Sequence, residues 1–190
     1  TAAVLKLYPR PADVATVFCA VAGARGATAM LSRLRGATGD RVTTFEYLNR
    51  ACLDLVLEHI DATRDPFQAR HGDYALIELS SGREAAEAAL AGAIEAGEAL
   101  DAVIAESGRQ ADELWRLRET IPEAQKYAGG AIKHDVSVPV SKIPEFLKAA
   151  EEKSLQIIPG SRLVTFGHIG DGNIHYNLSP ASDGDARAFP

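Results

Sequence analysis

The segment LVTFGHIGDGNIHYNL, residues 163–178, consists of two apolar, extended runs on either side of the dipeptide Asp171-Gly172. Asp-Gly is strongly preferred in two-residue type I′ turns, which join adjacent antiparallel strands. The segment therefore predicts a β-hairpin, and with it an antiparallel sheet.

A two-residue turn at this position also predicts which side chains face each other. His168 would lie opposite His175, and directly opposed side chains share a face with Cβ atoms about 4.5 to 5.5 Å apart. Two imidazoles so placed can bind one metal ion, whereas a catalytic zinc usually has three protein ligands. The other histidines have no spacing that identifies a third ligand; they are His59, His71 and His134. A pair of hydrogen-bonded loop histidines is the alternative.

Upstream of the hairpin, strand-like and helix-like segments alternate. The strand-like segments are 14–21, 42–48, 74–79 and 101–106, and the helix-like segments are 23–34, 51–60 and 85–100. Two successive β-α-β units of this kind are typical of a ferredoxin-like arrangement. We expect an α+β fold, an antiparallel sheet with helices on one face, built from split β-α-β units that are either single or duplicated.

Arg118 lies on the apolar stripe of a helical segment, residues 108–127. Trp115 and Ile121 are each three residues away and share its face, where an unpaired guanidinium would be costly to desolvate. Arg118 either binds a ligand carboxylate or pairs with an internal Glu or Asp, unless its stem reaches water. Pro122 predicts a kink or a second helix start within the segment.

A second strand-like segment, residues 131–139, alternates between polar and apolar side chains and places Lys133 on its polar face. By the same two-residue period, Asn177 shares a face with His175. Lys133 contributes to binding if its face looks into a cleft shared with Arg118. Otherwise it is a solvated surface lysine.

Composition excludes several classes of protein. The formal net charge of −6 argues against a nucleic-acid partner, which would need a basic face. Cys19 and Cys52 are far apart and form no C-x-x-C pair, which favours a reducing, cytoplasmic setting. No apolar run approaches the roughly 20 residues of a transmembrane helix, and no signal peptide is evident. Both ends of the sequence look like cuts through a larger protein.

Three motifs resemble the FAD-linked oxidases of the vanillyl-alcohol-oxidase type, the group of D-lactate dehydrogenases, glycolate oxidase subunits and D-2-hydroxyglutarate dehydrogenases. They are LWRLRETIPEAQ (114–125), IKHDVSVPVSKIPEF (132–146) and GHIGDGNIHYN (167–177). Residues 5–11, LKLYPRP, resemble the exit from the family's flavin domain. The resemblance implies that residues 1–190 are the substrate- and metal-binding (cap) part of the C-terminal domain. The N-terminal flavin-binding domain and the end of the C-terminal domain would be absent.

The resemblance also implies roles for individual residues. His168 and His175 match the histidines that hold a divalent metal, commonly zinc, which binds the 2-hydroxyl and carboxylate of the substrate. Arg118 matches the arginine that binds the distal carboxylate in the hydroxyglutarate enzymes, and Lys133 matches a lysine that assists it. Asn177 matches an asparagine that contacts the substrate. Hydride would leave the substrate's C2 for FAD.

Two departures qualify this expectation. Pro122 stands where the hydroxyglutarate enzymes can offer a threonine hydroxyl to the distal carboxylate. The family's S-x-E-H-G motif, which supplies a glutamate as third metal ligand and a histidine as base, would lie beyond Pro190. We therefore expect no catalytic base within the chain, and no turnover by the chain alone.

The expected activity is the oxidation of a small D-2-hydroxy acid, of the D-2-hydroxyglutarate or D-lactate type, with an unidentified electron acceptor. The alternatives are a non-catalytic ferredoxin-like module that binds a small acid or dimerises, and a metal-dependent hydrolase. The hydrolase lacks a convincing general base near the two histidines. A homodimer is compatible with all three.

Overall fold

A computed structural model describes residues 13–181, which form one seven-stranded antiparallel sheet covered by six α-helices. The predicted strand at 5–11 lies outside the described residues. The strands are β1 (Ala15–Val21), β2 (Val42–Asn49), β3 (Asp73–Leu79), β4 (Ala99–Ile104), β5 (Ile132–Ser137), β6 (Arg162–His168) and β7 (Asn173–Ser179). The helices are α1 (Gly23–Thr38), α2 (Arg50–His59), α3 (Arg83–Glu95), α4 (Gly108–Glu119), α5 (Ile121–Tyr127) and α6 (Ile143–Ile157).

The strand order is β4-β1-β3-β2-β6-β7-β5, and every neighbouring pair is antiparallel. The units β1-α1-β2 and β3-α3-β4 interleave in the order β4-β1-β3-β2, which is the ferredoxin-like arrangement of two split β-α-β units. The α+β class and the antiparallel sheet are confirmed. The remaining strands, β6, β7 and β5, extend the sheet beyond β2.

Helices cover both faces of this sheet rather than the one face expected. Helices α1, α3 and α6 share a core with strand residues such as Phe45 and Ile77. Helices α2, α4 and α5 share another with residues such as Phe18 and Leu48. The central strands are apolar on both faces, so each face needs its own cover to be removed from water. None of the helices within residues 13–181 combines the length and apolarity needed to cross a bilayer.

The break between α4 and α5 fixes the position of Arg118. Helix α4 begins after Ser107, whose hydroxyl accepts a hydrogen bond from the backbone N–H of Gln110. It ends at Glu119, and Pro122 lies in the first turn of α5, as the sequence predicts. The last turn of α4 therefore places Arg118 against the sheet, where the residue is 9% exposed.

Candidate functional site

The hairpin forms, but its register differs from the prediction. His175 pairs with Phe166, so His168 is not directly opposite His175, and that part of the prediction is wrong. Four residues, 169–172, connect the strands instead of two. Because the register is shifted by two positions, His168 stays on the same face of the sheet as Phe166 and His175.

The wider connection has a physical cause in the core. Ile169 is fully buried in the core that contains α1, α3 and α6, and this burial favours a wider connection over a tight turn. The Asp171 and Gly172 amides donate to the carbonyl groups of His168 and Ile169 in two overlapping turns, and the Asp171 carboxylate accepts from the Asn173 amide. Core burial therefore overrides the preference of Asp-Gly for a type I′ turn.

A buried carboxylate, Glu46 on β2, lies between two of the predicted site residues. Its Oε2 accepts a hydrogen bond from Nε of Arg118 at 2.8 Å, and its Oε1 contacts Nδ1 of His168. Glu46 and His168 are register partners across β2 and β6. Glu46 is 1% exposed, whereas 56% of the His168 side chain is exposed. The buried carboxylate of Glu46 thus contacts both the Arg118 guanidinium and the His168 imidazole.

The Arg118 guanidinium is held on two sides. Glu46 takes its Nε–H, and the Phe166 ring lies 4.7 Å from its central carbon, within cation–π range. Within residues 13–181, no acceptor forms a hydrogen bond with its Nη1 or Nη2. The internal pairing considered from the sequence is therefore present, and it leaves the two terminal nitrogens for a carboxylate.

His175 also packs against Phe166, with ring centroids 4.9 Å apart. Its Nδ1 is 3.7 Å from Oδ1 of Asp135, its register partner on β5. The same Asp135 oxygen accepts a hydrogen bond from the side-chain amide of Asn173 at 2.7 Å. Phe166 therefore contacts both the guanidinium of Arg118 and the imidazole of His175, and all three lie on one face of the sheet.

The surroundings of the two histidines resemble those of metal ligands, although the two side chains are not directly opposed. Each has its Nδ1 near a carboxylate, Glu46 for His168 and Asp135 for His175, which is the usual support for a histidine that binds metal through Nε2. Within residues 13–181, no three His, Cys, Asp or Glu side chains come together as a metal site. A third protein ligand would have to come from outside this range.

Lys133 and Asn177 face each other across β5 and β7, but their surroundings differ. Lys133 is exposed, on the face that also carries His175. Asn177 is 3% exposed; its amide donates to Gln125, and its carbonyl oxygen accepts from the backbone of His134. Asn177 therefore ties β7 to α5 and β5, with one amide hydrogen left over.

An open cavity of about 470 Å³ adjoins the site, and Glu46, His168, Gly170 and Asp171 contribute to its lining. Sequence reasoning missed Glu46. The available signal was the single charged residue in the segment 42–48, VTTFEYL. A charged side chain is unusual in a central strand, because charged residues are rarely buried without a partner. Nothing in the sequence connects Glu46 to Arg118, which is 72 residues away.

Comparison with known proteins identifies relatives of this chain. Mitochondrial D-2-hydroxyglutarate dehydrogenase of Arabidopsis thaliana is 33% identical over 182 residues, 93% of this chain and 32% of the relative. D-2-hydroxyglutarate dehydrogenase of Xanthomonas citri pv. viticola is 41% identical over 143 residues, 73% of this chain and 29% of the relative. The chain thus spans about a third of the length of these relatives.

The fold has a counterpart among solved structures. An alkyldihydroxyacetonephosphate synthase shares it with a TM-score of 0.51 and 11% identity, over 90% of this chain and 36% of that one. The family described as "FAD linked oxidases, C-terminal domain" matches residues 10–188, nearly the whole sequence. The chain therefore belongs to the FAD-linked oxidase family and represents its C-terminal domain.

Proposed function

We propose that the chain is the substrate-binding part of an FAD-dependent dehydrogenase that oxidises D-2-hydroxyglutarate or a similar small D-2-hydroxy acid to the 2-oxo acid. The names of the relatives support this substrate class. The FAD is held mainly by parts of the protein outside this chain. The chain alone is expected to have no turnover, because the flavin and the base are supplied elsewhere.

The observation that carries this proposal is the incomplete hydrogen bonding of the buried Arg118 guanidinium. Its guanidinium is buried and oriented by Glu46 and Phe166, yet its terminal nitrogens have no hydrogen-bond acceptor within residues 13–181. A planar, fixed guanidinium edge suits bidentate recognition of a carboxylate. Arg118 therefore binds the distal carboxylate of a dicarboxylic substrate, and Lys133 adds a positive charge at the rim.

His168 and His175 would hold a divalent metal, to be tested as zinc, through their Nε2 atoms, together with a third ligand from outside residues 13–181. When bound, such a metal polarises the 2-hydroxyl and lowers its pKa. Electrostatics support this assignment: Glu46 already offsets the charge of Arg118, so a dicarboxylate needs further positive charge. The spare amide hydrogen of Asn177 is its means of contacting the substrate.

The chain's own residues then position the substrate rather than transfer protons. Arg118 fixes the distal carboxylate, and the face bearing the two histidines receives the end that carries the 2-hydroxyl. Phe166 forms the apolar floor between them, since it contacts both the guanidinium and the His175 ring. This arrangement selects acids with a second carboxylate.

The test uses the full-length flavoprotein that contains this chain. Flavin bleaching is followed by absorbance after mixing with D-2-hydroxyglutarate or D-lactate, for the wild type and Arg118→Lys. Lysine keeps the charge but cannot bind a carboxylate bidentately. We expect kcat/KM for D-2-hydroxyglutarate to fall about 10- to 100-fold, as losing a charged hydrogen bond implies, with a smaller change for D-lactate.

The matched control is Arg116→Lys. Arg116 lies on the same helix, but its guanidinium donates to the backbone carbonyl of Asp61 at the surface. Its substitution should leave both substrates unaffected. Equal losses for the two acids in Arg118→Lys would contradict the distal role of Arg118, and a wild-type flavin that neither acid bleaches would refute the proposed activity.

A further inference from the structure

The structure assigns a positioning role to Glu46: its single carboxylate orients both the guanidinium that binds the distal carboxylate and the imidazole that binds the metal. This inference rests on the proposed function and extends it to a residue that contacts neither end of the substrate. It concerns how the two ends of the binding site are kept in a fixed relation.

The carboxylate of Glu46 is used at both oxygens. Oε2 accepts from Nε of Arg118 at 2.8 Å, and Oε1 meets Nδ1 of His168. The two partners come from different parts of the chain, the end of α4 and the end of β6. Because an ionised carboxylate has only acceptors, both partners must present N–H groups to it.

The need to donate an N–H group to Glu46 determines which nitrogens of Arg118 remain for a ligand. With Nε–H directed at Glu46, neither Nη1 nor Nη2 has a hydrogen-bond acceptor within residues 13–181, so both remain for a ligand. The Phe166 ring, 4.7 Å from the central carbon, further restricts the group. A ligand carboxylate then meets a donor pair whose direction is set before binding, which reduces the entropy lost on binding.

The same requirement sets the tautomer of His168. A hydrogen on Nδ1, directed at Glu46, leaves the lone pair on Nε2. Nε2 is the atom that can bind a metal, and 56% of the His168 side chain is exposed. Carboxylate partners of this kind commonly change metal affinity about 10- to 100-fold when they are removed.

A glutamine at position 46 separates this role from a purely structural one. Its carbonyl oxygen should stay with the charged guanidinium, the stronger donor. Its NH2 group then faces His168, which must accept at Nδ1 and carry its hydrogen on Nε2. That tautomer has no lone pair on Nε2 for a metal, so Glu46→Gln should weaken metal binding while retaining the fold.

The experiment measures the zinc dissociation constant of the full-length flavoprotein by competition with a chelating indicator. We expect Glu46→Gln to raise it about 10- to 100-fold. Glu78→Gln is the matched control, because Glu78 lies on the adjacent strand β3 and accepts a hydrogen bond from Trp115 of the same helix. It should leave zinc affinity within about twofold of the wild type.

A second variant, Glu46→Leu, tests the other partner. Without an acceptor for Nε, Arg118 should lose its fixed direction, and the kcat/KM preference for D-2-hydroxyglutarate over D-lactate should fall in zinc-saturated enzyme. If Glu46→Gln does not fold, the double variant Glu46→Leu/Arg118→Leu replaces the buried pair with apolar side chains. Its zinc affinity should fall by a similar factor.

Three results would overturn the inference: wild-type zinc affinity in Glu46→Gln, an equal loss in Glu78→Gln, or no zinc binding by the wild type. An unchanged substrate preference in a folded Glu46→Leu would do the same. The zinc measurement does not depend on turnover. A wild type that binds zinc but oxidises no D-2-hydroxy acid would therefore refute the proposed function alone and leave the role of Glu46 to be judged by zinc affinity.

Discussion

Replacing Gly172 by alanine should loosen the hairpin that carries both histidines. Gly172 has φ of +85°, a left-handed conformation that L-residues other than glycine rarely adopt. A Cβ added there would also collide with the carbonyl oxygen of Val138, at the end of the neighbouring strand region. The Val138 amide donates to the Gly172 carbonyl at 3.1 Å, so the two backbones cannot separate without losing that bond.

The size of the effect follows from these two costs. A left-handed conformation costs an L-residue about 1 to 2 kcal/mol. Losing one backbone hydrogen bond adds roughly 1 kcal/mol. Gly172→Ala should therefore destabilise the closed hairpin by about 2 to 3 kcal/mol, which corresponds to roughly a 30- to 150-fold increase in its opening equilibrium.

Hydrogen–deuterium exchange of the full-length protein, read by mass spectrometry, can measure this opening. Amides of β6 and β7 should exchange faster by about the same factor where local opening governs exchange. Peptides from β1 and β3, on the far side of the sheet, should be unchanged. The measurement therefore reports on the hairpin and not on global unfolding.

Gly160→Ala is the matched control. Gly160 has a similar φ of +80°, but no atom lies within 4 Å of the position of its added Cβ. It should show the conformational cost alone, about 1 to 2 kcal/mol, confined to the turn between α6 and β6. Equal acceleration in the two variants would show that the approach of Gly172 to Val138 is not a constraint, and would refute this account of the hairpin.

Two further predictions concern the rest of the chain. Burial raises the pKa of the Cys52 thiol to about 12, although a backbone hydrogen bond at Asn49 and the charge of Arg118 act to lower it. Iodoacetamide at about pH 8 should therefore label Cys52 only after unfolding, which peptide mass spectrometry can check. Labelling of the folded protein would contradict the burial. Burial alone would raise the pKa of Asp54, but hydrogen bonds and charges from Arg70 and Arg50 hold it below its usual value. Ionised Asp54 therefore stabilises the fold above about pH 4, and this contribution is lost as pH falls through the folded-state pKa. Asp54→Asn should lose less thermal stability than the wild type on acidification below about pH 4; parallel losses would contradict the ion-pair assignment.

Much of the fold could be predicted because its signals are local. The alternation of strand and helix along residues 14–106 and the break at Pro122 appear where expected. The presence of helices on both faces of the sheet could not be predicted from the hydrophobic period of the strands. A strand that is apolar throughout has the same pattern whichever elements pack against its two faces. Phe18 and Cys19 illustrate this, because they are adjacent, equally buried, and belong to different cores.

The candidate site was harder to predict because its contacts are not local. The Asp-Gly turn predicted a hairpin but gave the wrong register, since burial of Ile169 depends on helices elsewhere in the chain. Arg118 was found from its place on an apolar stripe, yet its partner Glu46 was not. A register error of two residues preserves the face of each side chain, which explains why His168 and His175 were assigned to a common face despite the error.

The site lies where the two parts of the sheet meet, and this location has a consequence for binding. Strands β2 and β6 are paired over three positions, and Glu46 with His168 is one of the two outer pairs. Glu46 belongs to the ferredoxin-like four strands, whereas His168 belongs to the three-stranded extension. A tilt between these parts would change the separation of Arg118 from His168, and it is opposed by both hydrophobic cores, because each contains residues from the two parts. Under the proposed function, we therefore expect the length of dicarboxylate that binds to depend on this short strand pairing and on the carboxylate that spans it.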